Sequence, residues 1–219
     1  MKNNSPLVIT ISRQLGSGGS YLGEKLASEL KFLYLDREII KMTSEKLNID
    51  SEKVEALEKR NYNWFDILSS YLDYKKPHLY LYPFVVVPIG NYTPTSKEVY
   101  KTEAGIILDV AQKQSAVILG RGGNYLLKDH PNHISILLYA NKDFRRKRVQ
   151  EAYKISEEEA LKIIESTDKE REKYVHTYTK HDMTDALQYD LCIDTGVLGL
   201  EAAKDIILAY IRTRNGIYI

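Results

Sequence analysis

A glycine-rich turn between an apolar segment and a helical segment is the feature that most constrains the fold of this chain. Residues 7–12 (LVITIS) are rich in β-branched side chains, which favour a strand, and the turn Gly16-Ser17-Gly18-Gly19 follows them. Residues 21–31 place apolar side chains at the spacing of one helix face. Residues 32–35 are again strand-like and end at Asp36. The first 36 residues therefore predict a strand–turn–helix–strand unit.

The second half of the chain continues this alternation of strands and helices. We predict strands over 116–119, 133–139 and 189–194, and helices over 141–151 and 200–212. A further helix starts at the capping box formed by Ser156 and Glu159 and runs to about Tyr174. Five short apolar strands separated by helices predict an α/β fold, in which a five-stranded parallel sheet is covered by helices on both faces.

Residues from about 43 to 113 do not follow the same rhythm. Helical patterns cover 51–60, 63–73 and 96–113, and many of the 17 tyrosines fall between Tyr62 and Tyr100. These aromatic side chains could stack on a base, line a dimer interface or fill a small core, and core or interface is favoured. We expect one domain over residues 1–219: a core of about 1–42 and 114–219, a helical insert of about 43–113 and a lid of about 150–185.

Composition excludes several classes of protein. With 31 Lys and Arg against 30 Asp and Glu, the net charge of +1 does not favour binding to DNA or RNA polymers. A single cysteine, Cys192, excludes an internal disulfide framework, and its apolar segment predicts an inert core position. No apolar run approaches the roughly 20 residues of a membrane span, and no signal peptide is evident. We therefore expect a cytoplasmic enzyme without a membrane partner.

The glycine turn is typical of loops that bind phosphate, because backbone amides beside glycine approach an anion closely. The dinucleotide pattern G-x-G-x-x-G fails at Tyr21, although Asp36 could still contact a ribose. The P-loop pattern G-x-x-x-x-G-K-[ST] fits with Ser20 in the Ser/Thr place, but Gly19 replaces the lysine and Arg13 the first glycine. Arg13 is the nearest basic group that could replace the lysine. A turn that binds no ligand is the remaining interpretation.

Several short motifs together resemble the cytidylate-kinase-like family, a divergent branch of the nucleoside monophosphate kinases. The resemblance covers residues 7–40 and 116 to about 203. The motifs that carry it are Ser12-Arg13-Gln14, Gly16-Ser17-Gly18-Gly19, Asp36-Arg37-Glu38, Gly120-Arg121-Gly122 and the run from Tyr189 to Thr195. The resemblance implies a three-layer α/β/α P-loop kinase fold with a basic lid, and Mg²⁺-dependent transfer of the γ-phosphoryl group of ATP to a nucleoside monophosphate.

The same resemblance implies roles for individual residues. The ATP phosphates would contact Arg13, Gly16, Ser17, Gly18, Gly19, Ser20 and Arg145. The acceptor would contact Asp36, Arg37 and Arg121, and the lid would contribute Asp168, Lys169 and Arg171. The catalytic cations would be Arg13, Arg121, Arg148 and Arg171, and Ser20 would be a Mg²⁺ ligand.

Three positions depart from the pattern of cytidylate kinases. These enzymes carry a lysine where Gly19 stands, an aspartate where Gly122 stands, and a Ser/Thr-Gly turn where Arg37-Glu38 stands. The departures leave two alternatives to a kinase acting on CMP or dCMP: a nucleotide-binding regulator without catalysis, and a kinase with a non-nucleotide acceptor. A homodimer formed through the aromatic insert is a further expectation.

A physical argument independent of the resemblance also points to phosphoryl transfer. This reaction needs positioning and cations around the moving group, and the planar guanidinium of arginine can contact two phosphate oxygens. In a parallel sheet, glycine turns after the first and third strands bring Arg13 and Arg121 to the same edge. Ligands bind at this edge in open α/β folds. The five histidines form no metal signature, and surface positions are favoured for them.

Overall fold

The computed structural model of the chain describes residues 5–36, 38–47, 51–52 and 96–214. Five parallel strands form one sheet in the order β2-β3-β1-β4-β5. They are β1 (Val8–Arg13), β2 (Leu33–Leu35), β3 (Ala116–Leu119), β4 (His133–Tyr139) and β5 (Leu191–Asp194). All five predicted strands are therefore confirmed to within two residues at each end, and so is the α/β fold class.

Helices follow each strand, as short right-handed connections between parallel strands require. The α-helices of the described residues are α1 (Gly19–Leu30), α2 (Glu38–Leu47), α3 (Ser96–Lys113), α4 (Gly123–Leu126), α5 (Lys142–Tyr153), α6 (Glu157–Thr179), α7 (Thr195–Leu198) and α8 (Leu200–Arg214), with a 3₁₀ turn at Ala186–Gln188. The capping box predicted at Ser156 is present and begins α6, which is 23 residues long. The helices predicted over 51–60 and 63–73 lie outside the described residues, apart from positions 51–52.

Helices cover both faces of the sheet and give the three layers. On one face, α1 and α8 pack against Ile9 and Ile11 of β1 in a fully buried apolar cluster. On the other, α2 and α3 pack against Val8 and Ile118. A third small cluster joins α5 and α6 to Leu15 in the glycine turn. Alternate side chains of β1 therefore anchor the two helical layers, and the turn after β1 is fixed between them.

Burial contradicts the sequence predictions at two residues: His133, favoured for the surface, is 7% exposed, and the last strand shows the opposite error. Cys192 is exposed, because β5 lies at the edge of the sheet and, among the described strands, pairs with β4 alone. Partial burial raises the pKa of its thiol. The prediction of an inert core cysteine was wrong, since an apolar segment does not indicate whether its strand is central or at an edge. Among the described helices, none is both long and apolar enough to cross a membrane.

Candidate active site

The glycine turn after β1 lies against two helices, and its glycines make this possible. Gly16 and Gly18 have φ angles of +83° and +86°. A Cβ on Gly16 would lie 2.7 Å from the backbone oxygen of Arg145, and a Cβ on Gly18 would lie 2.4 Å from Leu200. Both positions therefore require glycine for conformation, and Gly16 also requires it for space because its neighbour is backbone. The turn ends at the first turn of α1, whose N–H groups have no acceptor within the helix.

An ion pair between α5 and α6 fixes the turn at Leu15. The carboxylate of Asp168 accepts a hydrogen bond from the backbone N–H of Leu15 at 2.8 Å and one from the guanidinium of Arg145. Arg145 also donates to the carbonyls of Leu15 and Ala140. Both polar backbone groups of Leu15 are therefore bound by one salt bridge. Since Arg145 is 4% exposed, these contacts favour a positioning role for it, and its predicted phosphate contact stays a prediction.

The side chain of Arg13 occupies the space beside Gly19, where the P-loop pattern carries its lysine. A Cβ on Gly19 would lie 2.6 Å from Cγ of Arg13 and 3.0 Å from its Cβ. The Arg13 guanidinium extends to the turn after β3, where a Cβ on Gly120 would lie 2.2 Å from Nη1. Arg13 and the two glycines are therefore complementary in shape. A lysine at position 19 is sterically excluded unless Arg13 moves.

Three arginines from separate parts of the chain converge at this edge of the sheet. The guanidinium of Arg171, on α6, donates to the backbone carbonyl of Arg13 at 3.1 Å. Burial lowers the pKa of Arg171 to about 9, and the charge of Arg13 contributes. Burial also lowers the pKa of Arg13, an effect that Asp36 opposes and Arg121 reinforces. Because arginine stays protonated in proteins, these guanidinium groups keep their charge despite burial, and an anion would stabilise them.

Arg121 lies in a strained turn and is paired with a buried carboxylate. Its φ of +58° is in the left-handed region, which costs a non-glycine residue about 1 kcal/mol or more. Its guanidinium donates to Glu103 of α3 at 2.8 Å, and the Glu103 side chain is 1% exposed. The Glu103 carboxylate also accepts from the hydroxyl of Tyr174 on α6 at 2.9 Å. Backbone strain and a buried ion pair thus fix the direction of the Arg121 side chain.

Oxygen ligands collect between β2 and the start of α1. Asp36 lies 3.8 Å from the guanidinium of Arg13, and its carboxylate accepts a long hydrogen bond of 3.5 Å from the hydroxyl of Tyr34. Burial, and then the charge of Asp36, raise the pKa of Tyr34, whose hydroxyl also lies beside Ser20. The Tyr34 ring packs on Gly23 of α1, where a Cβ would lie 2.8 Å from the ring. Gly23 therefore admits the ring that brings Tyr34 between Ser20 and Asp36.

The remaining predicted site residues differ from one another in exposure and in their contacts. The Ser17 hydroxyl is turned inward and donates to the carbonyl of Gln14 at 2.8 Å, whereas Ser20 is exposed. The guanidinium of Arg148 lies over the ring of Phe144, and its Nε is buried without a hydrogen-bond partner in the part of the chain that is described. Lys169 is exposed on α6. Arg37 lies outside the described residues.

One face of α6 contacts three of the segments that form or flank this site. Asp168 holds the glycine turn, and Arg171 holds the end of β1. Tyr174 and Tyr178 contact α3 on the far side, through Glu103 and the carbonyl of Ser96. These four residues are spaced by three or four positions, which places them along one side of the helix. The helix predicted as part of the lid therefore spans the site from the turn to the insert.

Sequence reasoning missed three residues of this arrangement. Glu103, Tyr34 and Tyr174 each contact a predicted residue or its partner, but none belongs to a recognisable motif. Glu103 carried one usable signal, since it lies on the same helix face as the buried Val99, Ile106 and Val110. A carboxylate on an apolar face requires a cationic partner in the fold.

Comparison with known proteins supports a kinase-like role for this geometry. Residues 8–197 match the model of the cytidylate kinase-like family. A cytidylate kinase from Sulfolobus acidocaldarius is 27% identical over 209 residues, which cover 94% of this chain and 95% of that protein. Together with the fold, these likenesses support a role as a kinase of nucleotides or other small molecules.

Solved structures share the architecture across nearly the whole chain. An uncharacterized protein from Eubacterium ventriosum superposes with a TM-score of 0.67 at 24% identity, over 94% of this chain and 99% of that one. A gluconokinase from Sinorhizobium meliloti has a TM-score of 0.51 at 12% identity, over 98% and 96% of the two chains. A shikimate kinase from Bacteroides thetaiotaomicron gives 0.50 at 11% identity, over 94% and 98%. These likenesses confirm the P-loop kinase fold.

Proposed function

The chain belongs to the cytidylate kinase-like family, and from that premise we propose that it transfers the γ-phosphoryl group of ATP to a nucleoside monophosphate, CMP or dCMP. The convergence of Arg13, Arg121 and Arg171 beside the glycine turn carries this proposal. Like charges repel, and although Asp36 and Glu103 offset part of this charge, a phosphate bound beside the three guanidinium groups would stabilise them further. Their partial burial strengthens each contact to a phosphate, because the local dielectric constant is lower than in water.

In this proposal, Arg13 supplies the positive charge of the missing P-loop lysine. Its stem fills the space at Gly19, and its guanidinium extends from the glycine turn towards Gly120 and Asp36. A cation in that position lies between the turn that would bind the donor phosphates and the acceptor side of the sheet. An arginine there also offers a planar pair of N–H donors, which suits two oxygens of one phosphoryl group.

The remaining residues divide between donor and acceptor. The amides of the turn and of the first turn of α1 bind the ATP phosphates, as helix N-termini do. Arg171 neutralises charge that develops on the transferred group, and Arg121 orients the acceptor phosphate. Arg148 would contact the donor phosphates, once its guanidinium turns away from the ring of Phe144. Closure of the lid, about residues 150–185, excludes water, which prevents ATP hydrolysis.

Magnesium is the cofactor that this reaction implies, and the donor set fits it. The Ser20 hydroxyl and the Asp36 carboxylate lie on either side of the Tyr34 hydroxyl, and oxygen ligands of this kind suit Mg²⁺. No group of three His, Cys, Asp or Glu side chains in the described ranges could hold a metal independently. Ser20 would be the protein ligand of a Mg²⁺ ion bound together with ATP, with Asp36 nearby, and the ion would supply neutralisation of phosphate charge.

The test is acceptor-dependent release of ADP. Purified protein is mixed with ATP, Mg²⁺ and, separately, CMP, dCMP, UMP, AMP and GMP. We expect turnover with CMP or dCMP above the rate with ATP alone. Arg171→Ala and Arg121→Ala should each reduce kcat/KM for the acceptor by about 100-fold or more, since each removes a contact to the reacting phosphates. Arg146→Ala is the matched control, because Arg146 pairs with Glu157 and Asp143 away from the site.

Two results would replace this proposal with an alternative. ATP binding by calorimetry without turnover of any acceptor indicates a regulator that has retained the fold. Turnover with a sugar or another hydroxylated small molecule, but with none of the five nucleotides, indicates a kinase with a non-nucleotide acceptor.

A further inference from the structure

The buried carboxylate of Glu103 links the lid helix to the arginine that faces the acceptor. Glu103 lies on α3, Arg121 in the turn after β3, and Tyr174 on α6, so three separate segments meet at one side chain. We propose that Glu103 is a positioning residue that holds Arg121 in place for the acceptor phosphate only while α6 is docked through Tyr174. The proposal rests on the proposed function, and it adds a residue and a coupling that the phosphate contacts do not include.

Burial makes this carboxylate sensitive to the loss of either partner. The Glu103 side chain is 1% exposed, so its charge depends on hydrogen bonds from the protein. The Arg121 side chain is 17% exposed and reaches from the site edge to that carboxylate. If α6 withdraws, the carboxylate loses the Tyr174 hydroxyl and must be solvated through the opening. The carboxylate that accepts from Arg121 is then no longer held by Tyr174, so the direction of the Arg121 side chain is less fixed.

A cluster of tyrosines makes the docking of α6 on α3 a specific contact. The rings of Tyr100 and Tyr178 stack with centroids 4.1 Å apart and an interplanar angle of 7°. Tyr174 packs edge-on against both, with centroids at 6.1 Å and 5.0 Å. The Tyr178 hydroxyl donates to the carbonyl of Ser96, and so contacts α3 at a different group from Tyr174. Two hydroxyls of one helix therefore contact the same neighbour, but only Tyr174 is bonded to Glu103 in the described contacts.

The experiment compares Tyr174→Phe with Tyr178→Phe, a matched pair. Each variant removes one hydroxyl and keeps the ring, and the pair is measured with CMP at saturating ATP. Tyr174→Phe should lower kcat/KM for CMP roughly tenfold, because a hydrogen bond to a buried charge is lost. Tyr178→Phe should stay within about twofold of wild type, and KM for ATP, measured separately at saturating CMP, should be unchanged in both. Glu103→Gln should lower kcat roughly 100-fold, since a small misplacement of a contact to the reacting group is costly.

Hydrogen exchange tests the coupling without relying on turnover. The N–H of Gly123 is bonded to the carbonyl of Gly120, so the turn that carries Arg121 has a protected amide. We expect faster exchange in a peptide containing residues 120–125 in Tyr174→Phe and not in Tyr178→Phe. Equal effects of the two tyrosine variants, on exchange and on turnover, would overturn the proposal and reduce Glu103 to a packing residue. If wild type has no activity with any nucleotide, the proposed function fails, and the exchange comparison still decides whether Glu103 couples the segments.

Discussion

The complementarity of Arg13 and Gly19 can be measured as a coupling free energy. In Gly19→Ala the new methyl carbon lies 2.6 Å from Cγ of Arg13 and 3.0 Å from its Cβ. Ordinary carbon contacts are about 3.5–4.0 Å, so the side chain or the strand must move. Forced overpacking of this kind costs about 1–3 kcal/mol of unfolding free energy. The φ of Gly19 is not in the left-handed region, so backbone strain does not add to this cost.

Arg13→Ala removes the 2.6 Å contact and leaves the Cβ contact. In that background Gly19→Ala should therefore cost at least about 1 kcal/mol less than in wild type, a difference that reports the coupling directly. Urea unfolding followed by far-UV circular dichroism measures all four proteins of the cycle. Because the readout is stability, it does not depend on the identity of the substrate.

Gly105→Ala provides the control for the replacement of glycine in a helix. Gly105 is exposed on α3, and a Cβ there would have no neighbour within 4 Å. This variant should be more stable than wild type by about 0.5–1 kcal/mol, with or without Arg13. Equal costs of Gly19→Ala in the two backgrounds, within about 0.5 kcal/mol, would refute the argument that Arg13 takes the lysine's place.

Three further outcomes are expected from the structure. Burial lowers the pKa of His133 to about 4, against 6.5 when exposed. The neutral ring therefore stabilises the fold above pH 6.5, and this stability is lost as the pH falls towards 4. Between pH 7 and pH 5 wild type should lose about 2 kcal/mol more of unfolding free energy than His133→Gln, and equal losses contradict this. Asp168→Asn leaves the buried Arg145 without its counter-charge and should cost about 3 kcal/mol in urea unfolding; a cost below about 1 kcal/mol contradicts the ion pair. The exposed Cys192 should react with a thiol reagent in the folded protein, more slowly than free cysteine because its pKa is raised, and a thiol that reacts only after denaturation contradicts its exposure.

Local patterns were sufficient to predict the strands, most of the described helices and the glycine turn. The β-branched residues that predict β1 and the capping box that begins α6 each lie within a few consecutive positions of the chain. The meeting of Arg13 with the turn around Gly120 was predictable for a related reason: parallel strands end at one edge of the sheet.

The contacts that complete the site could not be predicted in this way. Glu103 and Tyr174 are 71 positions apart, and their bond depends on how α6 lies across α3. The hydrophobic period of a helix does not indicate how that helix crosses its neighbour. The exposure of Cys192 depends on the order of strands in the sheet, which the apolar pattern of a single strand does not contain.

The spacing of residues along the long helix α6 fixes the directions in which its contact residues point. Each residue added to an α-helix rotates the later residues of that helix by about 100° and advances them by about 1.5 Å. A residue inserted between Arg171 and Tyr174 would leave the hydrogen bond from Arg171 to the end of β1 in place. It would turn the tyrosines away from α3. Such an insertion leaves composition and helix propensity almost unchanged, yet it separates the two halves of the site. Chain length within this helix is thus as constrained as any side chain that is proposed to contact the phosphates.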